Sequence, residues 1–245
     1  MNEGPTEPLA ASPARGAPDG PRGRDVAWIA AGVALGYGLA AVLFFLGLKV
    51  FHGKFPGPWR ESTAFAATAY LVQTVILTLP VALIGVGWRR IPWSAFGLRP
   101  TGGRWFWIAG AGCLVLIVLA ESLDRLLDSP LSEKLTGALA PEGFSWNGFV
   151  TMILVAGLIA PFGEELLFRG VLYRWLRQRW GVPVGVIASA LLFGAVHLDP
   201  YWAAQAATFG VFFAILYEKS GSIWPAYLGH ALINMTGVAM LYATL

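Results

Sequence analysis

Residues 26–48 read VAWIAAGVALGYGLAAVLFFLGL, a run without one charged side chain, closed by Asp25 on one side and Lys49 on the other. The hydrocarbon core of a bilayer takes about 20 apolar residues of α-helix, so this stretch is long enough to cross it. A secretory signal core holds only roughly 7–15 apolar residues and ends at a small-residue cleavage site, which the chain near Lys49 does not offer. The first run therefore reads as a retained transmembrane helix.

The same test works outward along the chain. Ala64–Trp88 forms a second span, stopped by Arg89 and Arg90, and Trp105–Leu123 a third. Phe144–Phe162 is a fourth, followed by an amphipathic helix at Gly163–Trp180. Pro183–His197, Trp202–Tyr217 and Ile223–Leu245 complete a count of about seven, or six to eight if the short spans are tilted or continue broken helices. The expected fold is an all-α polytopic membrane bundle. Residues 1–25, rich in Pro, Gly, Ala and Arg with no apolar period, read as a disordered tail before a membrane domain at 26–245.

Composition agrees. The chain has 245 residues, 56% hydrophobic and 13% charged, where a soluble domain carries about 25% charged; mean hydropathy is +0.62. A net charge of +3 reflects positive loops and not a nucleic-acid partner. Eleven Trp and seven Tyr suit the two interfaces. The single cysteine, Cys113, forms no intrachain disulfide and reads as packing. The stretch Pro92–Pro100, PWSAFGLRP, reads as an interfacial segment with aromatic anchors. There is no P-loop, GxGxxG or HExxH.

Loop charge sets an orientation. Arginines fall in the tail (Arg15, Arg22, Arg24), after span two (Arg89, Arg90, Arg99, Arg104) and after span four (Arg169, Arg174, Arg177, Arg179). Acids gather after span three (Glu121, Asp124, Asp128, Glu133, Glu142), while Lys49, Lys54 and Arg60 dissent. The positive-inside rule then puts the N-terminus in the cytoplasm. It also puts the paired glutamates near the cytoplasmic end of span four.

Ionisable groups at membrane depth cost about 2.5–3.5 kcal/mol each on insertion scales, which makes each one a functional hypothesis. Glu164 and Glu165 are followed by Arg169, and on a helix residues 165 and 169 share a face. A Glu165–Arg169 pair leaves Glu164 uncompensated and available as a general base; the plainer reading is a solvated helix start with acids at its positive end. His197 closes an apolar run, either bonded to a carbonyl at the interface or sharing a water with Glu164. His230 and Asn234 lie one helical turn apart, either as interhelical glue or as donors to a developing oxyanion. His52, the third histidine, reads as an exposed loop residue.

Glu164-Glu165-x-x-x-Arg169, Phe193-x-x-x-His197 and His230-x-x-x-Asn234, in that order, resemble the three motifs of the CPBP family, the CAAX proteases and Abi self-immunity proteins. The resemblance covers about residues 140–240 and extends weakly to FGLRP. It implies an intramembrane endopeptidase, with Glu164 as catalytic base, His197 polarising the attacking water, His230 and Asn234 stabilising the oxyanion, and Glu165 and Arg169 in support. The implied partners are the bilayer and a peptide or protein substrate, lipidated at its C-terminus in the eukaryotic branch. A bacterial plasma membrane is the expected location. No cofactor is expected; the alternative is Zn²⁺ held by Glu164, His197 and His230, a His₂Glu set with one open position. Other readings are a non-catalytic membrane scaffold or immunity protein and a proton-coupled transporter. Because the site must admit water, a cavity opening on the cytoplasmic side is expected.

Overall fold

The computed structural model of the chain describes residues 20–50, 59–126 and 131–245. Among these residues the secondary structure is helical throughout, with no strand. Most of the expected tail (residues 1–19), together with His52, lies outside the described residues. The part of the tail that is described is ordered: α1 runs Gly23–Val50 and starts before Val26, with Asp25 buried in its first turn. Asp25 pairs with Arg89 at 2.6 Å, which ties the start of α1 to the end of α2, Thr63–Trp88.

Helix α3 is Arg104–Leu126. A short helix, α4, follows at Leu131–Leu139, where the sequence reading has only an acidic loop. The run Trp146–Ala195 breaks at Gly181, whose φ of 83° and ψ of 173° are not helical, giving α5 (146–180) and α6 (182–195). Helices α7 (Pro200–Ser220) and α8 (Ile223–Tyr242) complete the bundle. Each expected span is helical. Among the described residues four runs, Gly23–Val50, Thr63–Trp88, Arg104–Leu126 and Trp146–Ala195, are both long and apolar enough to cross a bilayer. Their outer faces present bare hydrocarbon, such as Leu35 at 73% and Trp107 at 83% exposure, as a surface solvated by lipid must.

One expectation about helix ends is corrected. No break separates the fourth span from an amphipathic helix at residue 163; α5 is continuous. Pro161 has no N–H and its ring crowds the carbonyl four residues back, which kinks or ends many helices. Here the turn before it, Ile153–Ile159, is wound in π register, and the Ala160 N–H reaches back to the Val155 carbonyl. The wider turn makes room for the proline and carries the helix on. The glutamates therefore sit near the middle of α5, not at its end.

The PWSAFGLRP segment is also more than an interfacial anchor. Trp93 is 40% exposed, but Ala95 and Phe96 are fully buried. Phe96 packs with Ile29, Val81, Leu166, Tyr173 and Tyr217 in the main core cluster. Gly97 turns the chain with φ of 90°, and a Cβ on it would collide with the Tyr217 ring. Gly97→Ala is therefore expected to cost more than about 1 kcal/mol, read as a lower melting temperature in detergent. Gly103→Ala, with open space around it, should leave the melt unchanged.

At the opposite end of the bundle α4 is pinned from two sides. Lys134 pairs with Asp199 between α6 and α7, and the Tyr242 hydroxyl donates to the Leu139 carbonyl at 3.0 Å. The Lys134 hydrogen bond, with the Trp202 backbone N–H behind it, holds Asp199 below the ordinary carboxylate range.

Candidate functional site

Three helices bring the expected residues together. Helix α5 supplies Glu164, Glu165 and Arg169. The C-terminal end of α6 supplies Phe193 and, just past it, His197. Helix α8 supplies His230 and Asn234. Close approach is set by small residues. A Cβ on Gly157 would lie 2.6 Å from Met235, and one on Gly163 would lie 3.3 Å from the Thr74 carbonyl. Glycine at these points lets α8 and α2 press against α5.

Glu165 is completely buried and Arg169 is 1% exposed. Arg169 Nη1 lies 2.9 Å from Glu165 Oε1, the pair expected from the four-residue spacing. The guanidinium also donates from Nη2 to the Gly210 carbonyl at 3.2 Å and lies 4.5 Å from the centre of the Phe193 ring. Glu165 Oε2, Arg169 Nε and Arg169 Nη1 have no hydrogen-bond partner among the described residues, so the Nη1–Oε1 contact is an ion pair without hydrogen-bond geometry. Stacking on Phe193 partly offsets this, because a desolvated cation over a ring is worth about 2 kcal/mol.

The same Glu165 Oε1 accepts from His230 Nδ1 at 2.8 Å. That bond places one proton on Nδ1 and turns Nε2 towards Glu164, whose Oε2 is 3.8 Å away. The His230 ring stacks on Phe213, with centres 5.2 Å apart and planes 20° from parallel. Phe193 meets it edge-on at 5.5 Å. Glu164 takes its own hydrogen bond from Gln73 Nε2 of α2, at 2.9 Å on Oε1.

His197 Nδ1 faces the Phe193 carbonyl at 2.9 Å. A carbonyl only accepts, so Nδ1 carries the proton and Nε2 is left as an acceptor. Asn234 donates from Nδ2 to the Ala156 carbonyl at 3.1 Å, so the interhelical bond weighed for it is present, and its second N–H remains available. Cys113, fully buried, donates to the Gly229 carbonyl at 3.3 Å, in keeping with its reading as a packing residue.

Glu164, His197, His230 and Asn234 all line one cavity of about 580 Å³; Glu165 and Arg169 stand behind it. Among the described residues no group of three His, Cys, Asp or Glu is placed to hold a metal ion. The trio Glu164, His197 and His230 lines the cavity without forming such a group.

Sequence reading missed Gln73. Its signal was available: it is the one carboxamide in the apolar run Ala64–Trp88, and an amide at membrane depth needs a partner. The cavity itself extends well beyond these residues. Its lining runs from Glu164 to Glu121 and Asp124 on α3, Leu135 and Leu139 on α4, and Trp202 at the start of α7. These lie at the end of the bundle away from the start of α1, because α1, α3 and α8 run towards that end and α2, α5 and α7 run from it. The other end is filled by the core around Phe96 and Tyr217. The lining thus reaches the end of the bundle opposite the start of α1.

Residues 146–236 match the family described as type II CAAX prenyl endopeptidase Rce1-like. The chain is also similar to the Bacillus subtilis (strain 168) protein named "Putative membrane peptidase YdiL", at 29% identity over 89 residues, or 36% of this chain and 36% of that protein. The chain thus matches about a third of the length of this curated relative. No solved structure matches. The family segment begins with α5, ends inside α8, and contains all six candidate residues.

Proposed function

We propose, from the chain's place through residues 146–236 in the CPBP family of CAAX proteases, that it is an intramembrane endopeptidase of a bacterial plasma membrane and hydrolyses its substrate with a water activated by Glu164. The observation that carries this reading is the convergence of Glu164, His197, His230 and Asn234 on one cavity.

A water between Glu164 Oε2 and His197 Nε2 meets two acceptors and has two protons to give. It donates to both and turns a lone pair towards the substrate. Glu164 takes one proton as the oxygen bonds to the peptide carbonyl carbon, and the carbonyl electrons move onto its oxygen. His230 Nε2 and the second Asn234 N–H donate to that oxyanion. With Nδ1–H given to Glu165, donation from Nε2 uses the form of His230 that carries a proton on each ring nitrogen. The tetrahedral centre then collapses, the C–N bond breaks, and protonated Glu164 returns its proton to the leaving amine.

This sequence uses no metal. The test is cleavage of a peptide library, with farnesylated and unmodified C-termini, by the purified protein in detergent. Activity that survives a chelator supports the reading; activity lost to the chelator and restored by Zn²⁺ overturns the metal-free mechanism. No cleavage in any arm overturns the activity for these peptide classes and returns weight to a scaffold.

Gln73 fixes which carboxylate oxygen of Glu164 faces the water. A hydrogen bond to a charged group is worth about 1.5 kcal/mol or more, so Gln73→Leu should lower kcat roughly tenfold. KM should stay nearly constant, since Gln73 orients the base and does not hold the substrate.

A further inference from the structure

We infer that the site is entered from the non-cytoplasmic face of the membrane, and that its substrate is a peptide segment that has already been translocated. This rests on the peptidase reading above, but its support is separate.

Two ends of the bundle can be compared. The end holding the start of α1 carries Arg22 and Arg24, the arginines of the α2–α3 connection (Arg89, Arg90, Arg99, Arg104), Arg174, Arg177 and Arg179 around the Gly181 break, and Lys219. The other end carries, among the described residues, Lys49, Arg60, Arg125 and Lys134. Lysine and arginine counts in short loops set membrane orientation, and acidic residues contribute little. Ten basic residues against four put the α1 start in the cytoplasm. The cavity extends to the other end, under α4, so water and substrate reach Glu164 from outside.

The chemistry of the cavity wall fits such a substrate. Among the described residues its polar lining includes Glu121 and Asp124 at the α4 end and Glu164 further in, with no lysine or arginine. A free C-terminal carboxylate brought in from that end meets the like charge of Glu121 and Asp124. An internal segment, or one next to a basic side chain, does not.

Cysteine accessibility tests the inference without requiring catalysis. In a Cys113→Ala background, single cysteines are placed at Glu121 and Asp124 at the α4 end and at Gly103 at the arginine-rich end. The full chain is expressed in the inner membrane of a Gram-negative host and treated with a membrane-impermeant maleimide. Expected is labelling of Glu121→Cys or Asp124→Cys in intact cells, with Gly103→Cys labelled only after permeabilisation. Labelling of Gly103→Cys in intact cells, or of both α4-end cysteines only after permeabilisation, overturns the inference. None of these substitutions adds or removes a basic residue, so they leave the orientation signal intact. Failure of the peptidase reading would appear in the cleavage assay and leave the labelling pattern untouched.

Discussion

Arg169→Met is expected to destabilise the bundle by about 3–5 kcal/mol, the usual cost of leaving a buried charge without its partner. Glu165 is fully buried and its Oε1 serves both Arg169 and His230. Without the guanidinium the buried carboxylate keeps only the His230 N–H, and the Gly210 carbonyl and Phe193 face lose their cation. A large fall in melting temperature in detergent is the expected readout. The double variant Glu165→Gln with Arg169→Met removes both charges and should regain most of that stability, since the pairwise part of the loss is shared. Its activity should stay low, because His230 no longer has a carboxylate on Nδ1 to hold its ring and its second proton. Equal stability losses in the single and double variants would contradict the ion-pair account.

The second large effect is on rate. Glu164→Gln should lower kcat/KM by about 10³-fold or more, near the upper range for removal of a general base, with the fold unchanged. Glutamine keeps the shape and keeps an oxygen for the Gln73 amide to bond. Glu164 is not in the Arg169 pair, so the Arg169–Glu165 contact is left intact. Melting at the wild-type temperature beside lost cleavage separates this role from a structural one. Wild-type activity in Glu164→Gln would remove Glu164 from the chemistry.

Much of this was legible in the sequence because membrane depth magnifies polar residues. The Glu165–Arg169 pair follows from helical spacing alone, and His230 with Asn234 stands out from an apolar helix. What was not legible depends on helix continuity and on third partners. The continuity of α5 past Pro161 was not legible, because nothing in a sequence announces a π turn ahead of a proline. Gln73 looked incidental because its partner lies 91 residues away. Phe96 and Gly97 looked interfacial because a segment with Trp93 at the surface does not reveal that its next residues fill the core. The end to which the cavity extends is set by where α4 and the long α5 lie, and no local pattern encodes that.

The claim that Glu164 activates water, and does not itself attack the peptide, is tested most directly by a single turnover in water enriched in heavy oxygen. The account predicts the heavy atom in the new C-terminal carboxylate of the product, with none in the Glu164 side chain. Heavy oxygen in the peptide that carries Glu164 would show a covalent acyl intermediate and contradict the account.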